Sequence, residues 1–458
     1  MPKSIKHLST LIVLLFLFQL AWSCLPCSAQ AGQAVSSPPA LDAKVRSEIA
    51  GKVGELLTTL YIFPGKAVEM KALLDRKLGS GGYDNLADAN LFARTLTEDL
   101  RSVSKDLHLR VLCNPELVKR IRAQESQGAE EREKERRAAL ERERRDNFGF
   151  RKLELLDGNI GYLDLRSFSG LREAGETAVA AMNFLSNAGA VIIDLRRNGG
   201  GSPAMIQLIS SYFLGDYTHL NSFENRGENT FQQFWSLPYV PGKSMFDKDL
   251  YILTSRNTFS AAEEFTYNMK NLKRAALVGE TTGGGAHPGG LRIVNDDFLV
   301  WIPTGRAVNP ITKTNWEGAG IAPDIAVDQD KALDKARVAA LEKMIKTAPD
   351  ETARAGLAWA LNALKAKLEP ASVEEAVLRP YLGRYAEGEI ALENGQIVVS
   401  AQGQKIKMIP LSPTYFVPAD DSGIQIEFVP DKDGKSYDVI GHFRGGAKQR
   451  MSRIREKK

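Results

Sequence analysis

The stretch "YILTSRNTFSAAEEFTYNMK", Tyr251 to Lys270, sets a hydroxyl between two elements of opposite character. An apolar, strand-like run stops at the polar turn Arg256-Asn257-Thr258, and a small-residue cluster then opens a helical pattern. Ser260 at that junction has two readings. It can cap the helix, because serine is a favoured N-cap residue. It can also be a nucleophile, with the free N–H of Ala261 behind it as an oxyanion donor. The G-x-S-x-G elbow of an α/β-hydrolase is missing around it. Two further loops offer chemistry. "DLRRNGGGS", Asp194 to Ser202, sets a glycine turn between a buried strand and a helix. Its backbone N–H groups suit a phosphate or a developing oxyanion. It is not a P-loop, because no Gly-Lys-Ser/Thr follows. "GETTGGGAHPGG", Gly279 to Gly290, reads as a mobile glycine loop carrying His287. No His/Cys cluster has metal-ligand spacing, so neither a metal nor a cofactor is expected.

The elements that must position these loops follow from periodicity. From about Leu41, apolar residues recur at helical spacing, as in "IAGKVGELLTTLYIF" and "LFARTLTEDL", which gives a small helical domain over 41–125. Residues 126–150 form a charged helical linker. Within it, Glu130 to Asp146 carries seven acids and seven bases, with Glu130/Lys134, Glu133/Arg137 and Glu141/Arg145 at i,i+4. Over 151–330 strands and helices alternate: "GNIGYLDLRSF", "LREAGETAVAAMNFLSNA", "AVIIDLR", "SPAMIQLISSYFL", "DLYILTS", "AALVGE" and "FLVWIPTGR". That alternation predicts an α/β core with a mainly parallel sheet. A helical connector over 331–377 leads to short alternating strands with Asn-Gly and Gly-rich turns, a small β domain over 378–458.

The near-balance of 60 basic and 56 acidic residues gives no basis for a nucleic-acid partner. Residues 1–31 read as a signal peptide: Lys3 and Lys6, an apolar run from Leu11 to Trp22, and the small-residue site Ala29-Gln30-Ala31. This predicts a secreted or periplasmic protein, with no membrane span once the signal is removed. Cys24 lies behind Ala21-Trp22-Ser23, a poor context for a lipid anchor. Cys113, in "LRVLC", is expected to be a buried, inert thiol.

"SVSKDLHLRV", "AVIIDLRRNGGGS", "TSRNTFSAAEEF", "LVGETTGGGAHPGG" and "NWEGAGIAPDI" occur in that order. Together they resemble the C-terminal processing peptidase superfamily, closest to its tricorn-core and interphotoreceptor retinoid-binding-protein-like branch. The resemblance covers about Leu41 to Val327. It implies a crotonase-like (ClpP/crotonase) α/β core behind a helical N-terminal domain, and a serine endopeptidase acting on peptides or proteins. Ser260 then matches the nucleophile, and the N–H groups of Gly200 and Ala261 match the oxyanion hole. His108 matches the base and Glu317 its carboxylate partner. Gly201 and His287 fall in the substrate cleft. The processing branch has a lysine in the glycine loop; none stands there. The tricorn-like branch has a hydroxyl residue just before its histidine; here it is Leu107. No PDZ-like insertion lies between His108 and Gly158. His108 is expected inside the strand-like run "LHLRVL", and His287 in a loop too loose for a base. Retinoid-binding relatives use the same fold to carry apolar ligands, so a non-catalytic carrier is the competing reading.

Overall fold

The structure is a computed structural model and describes residues 41–401, 403–420, 423–432 and 436–454. The expected signal peptide, with Cys24 and Cys27, lies outside the described residues. The first elements are helices α1 (Ala43–Leu60), α2 (Pro64–Gly79) and α3 (Ala89–Ser104), strand β1 (Arg110–Cys113), and helices α4 (Pro115–Ser126) and α5 (Ala129–Arg145). Then come β2 (Phe150–Leu156), β3 (Ile160–Leu165), α6 (Leu171–Leu185), β4 (Ala190–Asp194), α7 (Pro203–Ser211), β5 (His219–Asn225) and β6 (Thr230–Trp235). Next are β7 (Asp249–Thr254), α8 (Ala261–Asn271), β8 (Ala275–Gly279), β9 (Gly289–Ile293), β10 (Phe298–Pro303), β11 (Gly305–Val308) and β12 (Ile325–Ala326). Helices α9 (Ala332–Lys346), α10 (Glu351–Leu368) and α11 (Glu375–Leu378) precede eight strands, β13 (Gly383–Tyr385), β14 (Gly388–Glu393), β15 (Gln396–Ala401), β16 (Gln404–Pro410), β17 (Tyr415–Pro418), β18 (Ile424–Pro430), β19 (Tyr437–Phe443) and β20 (Lys448–Met451).

The chain divides into two compact units. One runs to Leu153 and takes in Leu163–Ser186 and Ile193–Gln329; the other comprises Glu154–Tyr162, Asn187–Ile192 and the chain from Asp330 on. In the first, Asp42 and Asp88 cap α1 and α3 by accepting the N–H groups of Val45 at 2.8 Å and Leu91 at 2.6 Å. Ile49, Val53, Leu57, Phe92, Leu96 and Leu100 point from α1 and α3 into one core, and Phe298, Val300 and Ile302 of β10 complete it. β10 lies antiparallel between β1 and β9. The helical segment is therefore closed by strands from far along the chain, and this pairing carries the turn before β1 toward the glycine segment before β9. Helix α5 buries no residue. Its ion pairs run Glu133 to Arg136 and Arg137, Glu131 to Lys134 and Glu141 to Arg144, so i,i+3 partners replace two of the expected i,i+4 ones. Strands β12, β8 and β7 pair in parallel, in a six-stranded sheet that continues β4-β3-β2. A separate sheet, β11-β5-β6, is antiparallel.

In the second unit α9 packs on α10, and β13 to β20 form one antiparallel meander in sequence order. A bridge between Tyr385 and Arg453 joins its first strand to the chain just after its last, giving a barrel-like sheet. Ile390, Ile397, Met408, Phe416, Ile426, Phe428 and Val439 fill it, and Tyr381 stacks on Phe428 at 4.0 Å between ring centroids. No helix among the described residues is long and apolar enough to cross a membrane.

Phe298 is fully buried and meets Phe92 edge-on, with ring centroids 6.2 Å apart. Phe298→Ala is expected to destabilise the first unit by about 3–5 kcal/mol, read from urea unfolding. A loss well under 1 kcal/mol would show that β10 is not part of that core.

Candidate active site

The first wall of the site starts at the end of α3. Lys105 turns left-handed (φ 59°) and stops the helix. The chain then bends on Asp106, whose Oδ1 accepts the His108 N–H at 3.0 Å. Arg101 of α3 donates to the carbonyls on either side of His108, at 2.5 Å for Leu107 and 2.8 Å for Leu109. His108 therefore stands in a braced turn two residues before β1, not inside the strand that its sequence pattern suggests.

Glu317 comes from the chain between β11 and β12. Its Oε1 accepts the Leu107 N–H at 2.9 Å and its Oε2 the Ala286 N–H at 2.5 Å. The same Oε2 lies 3.6 Å from His108 Nδ1 and 3.6 Å from His287 Nδ1. Burial pushes the Glu317 carboxyl up, yet the two imidazoles and the Ala286 N–H outweigh burial and hold it below the usual carboxylate range.

The glycine segment is held more firmly than its composition suggests. His287 is only 5% exposed, and its Nδ1 lies 2.8 Å from Asp106 Oδ2. Phe63 packs edge-on against its ring at 5.4 Å. The segment itself is not slack. The Gly283 N–H donates to the Thr258 carbonyl at 3.0 Å, those of Gly284 and Gly285 to Glu263 at 2.6 and 2.8 Å, and that of Ala286 to Glu317.

The opposite wall carries Ser260. Its φ/ψ of 54°/−122° lies far from the extended conformation of an ordinary N-cap, at a cost on the order of 1–3 kcal/mol. Its N–H donates to Glu263 Oε2 at 2.9 Å. Phe259, the residue before it, packs on the His108 ring with centroids 4.9 Å apart. A Cβ at Gly200 (φ 117°) would stand 3.0 Å from both the Ser260 Cβ and the Ala261 nitrogen, so the glycine turn lies against the nucleophile turn. The Gly200 N–H is given to Asn198 Oδ1 at 2.9 Å. Gly201 (φ 143°) pairs with Phe168, whose carbonyl oxygen would be 2.1 Å from an added Cβ.

Three residues of this site escaped the sequence reading. Asp106 is fully buried and binds both histidine segments; the acid two residues before His108 in an otherwise apolar run was the available signal. Tyr61 donates its hydroxyl to Asp106 Oδ2 at 3.1 Å, and burial with the neighbouring Asp106 pushes its own ionisation up. Glu263 is fully buried and accepts four donors: Ser260 N–H, Gly284 N–H, Gly285 N–H and the Thr282 hydroxyl. Its signal was the Ser-x-x-Glu spacing of a capping box. Burial pushes Glu263 up to about 7 against the pull of these donors, and pushes the adjacent buried Glu264 up to about 8. His219 begins β5 and His442 lies in β19, both away from this cluster in sequence and element. Cys113 is half-buried, and burial pushes its thiol up.

Among the described residues one group, Asp106, His287 and Glu317, brings potential metal-ligand atoms within 4.8 Å of one another. The 2.8 Å between His287 Nδ1 and Asp106 Oδ2 is hydrogen-bonding distance. It is shorter than the edge of about 3.3 Å that a tetrahedral zinc sphere requires.

Residues 159–327 match peptidase family S41, and residues 39–143 match the N-terminal domain of peptidase S41 in eukaryotic IRBP. The likeness to S41 peptidases is thus carried by residues 159–327, with an S41-type N-terminal segment before them. Three solved structures give partial likenesses. The photosystem II D1 C-terminal processing protease is 22% identical over 37% of this chain and 43% of its own, with a TM-score of 0.31. A lipoprotein from Streptococcus agalactiae is 16% identical over 69% of this chain and 99% of its own, at 0.41. The tricorn protease is 15% identical over 64% of this chain and 35% of its own, at 0.37. The chain thus spans less than half the length of the D1 processing protease and of tricorn. The two matched segments between them contain His108, Ser260, His287 and Glu317.

Two outcomes follow from the buried acids of α8. Glu263→Ala strands four donors in a dry interior, at about 1–3 kcal/mol each before relaxation. A large drop in melting temperature and loss of activity are expected; an unaltered melting temperature would contradict the clamp. The second outcome concerns pH. Glu264 titrates at about 8 in the folded chain against an ordinary 4.5, so the folded state binds the extra proton. Its contribution to stability is complete below the ordinary value and is lost as pH rises toward 8. Glu264→Gln stays neutral throughout, so its melting temperature should fall less than the parent's between about pH 5 and about pH 8. Parallel declines would remove Glu264 as the source.

Proposed function

We propose that the chain is a secreted or periplasmic serine endopeptidase with a crotonase-like core, working through Ser260, His108 and Glu317. The observation that carries this reading is the conformation of Ser260. A serine that merely caps a helix sits in extended geometry; this one is held at φ 54° at the start of α8, which capping does not require. The strained strand-to-helix turn is a device for presenting a nucleophile.

In the proposed reaction His108 presents Nδ1 toward Glu317, which leaves Nε2 as the nitrogen for the Ser260 hydroxyl. As Oγ bonds to the scissile carbonyl carbon, its proton passes to Nε2. The carbonyl oxygen becomes an oxyanion, received by the Ala261 N–H and by the Gly200 turn, whose N–H is then divided between Asn198 and the oxyanion. Collapse of the tetrahedral intermediate breaks the C–N bond, and Nε2 returns the proton to the leaving amine. Water then repeats the sequence on the acyl-enzyme. The 3.6 Å between Nδ1 and Glu317 Oε2 is longer than a hydrogen bond. Such contacts are often long before substrate binds and tighten in the complex. Each oxyanion donor contributes on the order of 10²–10³ in rate. Export follows from the leader over residues 1–31.

A serine-directed fluorophosphonate tests the reading. The parent chain is expected to be labelled and to cleave casein, while Ser260→Ala folds normally and does neither. His108→Ala should lower kcat by several orders of magnitude. A folded parent chain that neither labels nor cleaves would favour the apolar-ligand carrier.

A further inference from the structure

The mechanism above uses one histidine and one carboxylate, yet the structure buries a second pair beside them. Asp106 and His287 join with the Ala286 peptide to link Glu317 and His108 into a ring. Asp106 Oδ1 accepts the His108 N–H and its Oδ2 faces His287 Nδ1. One peptide bond back, the Ala286 N–H donates to Glu317 Oε2, the oxygen that faces His108 Nδ1. Three segments distant in sequence are closed on one another through a fully buried aspartate.

Asn315 faces the outer nitrogen of the His287 ring. Its Oδ1 accepts the Glu317 N–H at 3.1 Å and its Nδ2 donates to the Ala307 carbonyl at 2.8 Å. Turning the amide over would oppose N–H to N–H and carbonyl to carbonyl, so its orientation is determined by backbone. Nδ2 also stands 3.4 Å from His287 Nε2, presenting a donor to that nitrogen. That arrangement suits a bare Nε2 and a ring proton on Nδ1, directed to Asp106.

Resting on the reading of His108 and Glu317 as base and partner, we propose that Asp106, His287 and Asn315 are positioning residues. They lock His287 as the Nδ1–H tautomer, and through the adjacent Ala286 N–H they aim Glu317 at His108. His287 carries no proton in the reaction.

The test exploits isostery, because an asparagine amide nitrogen can occupy the place of histidine Nδ1 and cannot titrate. With labelled casein as probe and the full chain as enzyme, His287→Leu should lower kcat about 10–100-fold with little change in KM, the usual effect of losing a partner that orients a catalytic group. His287→Asn should recover at least about tenfold of that loss. If Leu and Asn variants are both as inactive as His108→Ala, His287 transfers protons and the proposal is wrong. If both match the parent, the ring positions nothing. Should the Leu variant fail to fold, the tautomer decides. The chain holds five histidines, so ¹⁵N-histidine spectra of Ser260→Ala near pH 7 are tractable. A protonated Nδ1 and bare Nε2 at His287 are expected; the opposite tautomer or an imidazolium overturns the lock. Failure of the peptidase reading would appear separately, as a parent chain that fluorophosphonate does not label.

Discussion

Two buried carboxylates carry a stretch of backbone that has no side chains of its own. Gly284 and Gly285 give their N–H groups to Glu263, and Ala286 gives its N–H to Glu317. An ionised carboxylate in a dry interior is costly unless its lone pairs are filled. Here the donors that fill them are the ones the glycine segment must dispose of, so each group reduces the other's penalty. The arrangement has a geometric result. Glu263 also accepts the Ser260 N–H, while Glu317 accepts the Leu107 N–H beside His108. One strand of bare backbone thereby couples the turn bearing the hydroxyl to the turn bearing the imidazole.

Glycine is required there by space. A Cβ on Gly285 would come within 2.2 Å of the Phe259 ring and 2.6 Å of His108 Cε1. The backbone lies flat against the imidazole and against the residue before Ser260. Any larger side chain would push these apart and break the carboxylate bonds that hold the segment down. The same closeness explains why His287 can be rigid in a glycine-rich run. Its support comes from Asp106, Asn315 and Phe63, none of which is near it in sequence.

That contrast marks what the sequence could and could not reveal. The Ser260 junction was legible because strand and helix periodicities change across it; the capping-box spacing to Glu263 lay in the same run and went unread. His108 and Glu317 were reachable only through the order of five motifs, since nothing in "LHLRVL" or "NWEGAG" alone requires that they meet. The slackness expected of "GETTGGGAHPGG" was a local inference, drawn from missing side chains. It failed because N–H groups bonded to distant carboxylates restrain a chain as well as packing does. Asp106 shifted His108 out of the strand by accepting its N–H, a contact between residues two apart that apolar alternation cannot register.

The strain at Ser260 asks for a restraint on its other side, and Asn198 supplies it. This fully buried side chain donates to the Leu165 carbonyl at 2.9 Å and accepts the Gly200 N–H, while its own carbonyl takes the Phe259 N–H at 3.1 Å. The end of β3, the glycine turn and the nucleophile turn are thus tied at one residue. Glu263 pulls on the Ser260 N–H from the helix side, and Asn198 holds the preceding peptide from the sheet side. A peptide held at both ends can keep an unfavourable φ at the residue between them, because relaxing it would break bonds to two buried groups at once. The cost of the strained serine is therefore offset outside the residues that would touch substrate, in side chains bonded mainly to backbone.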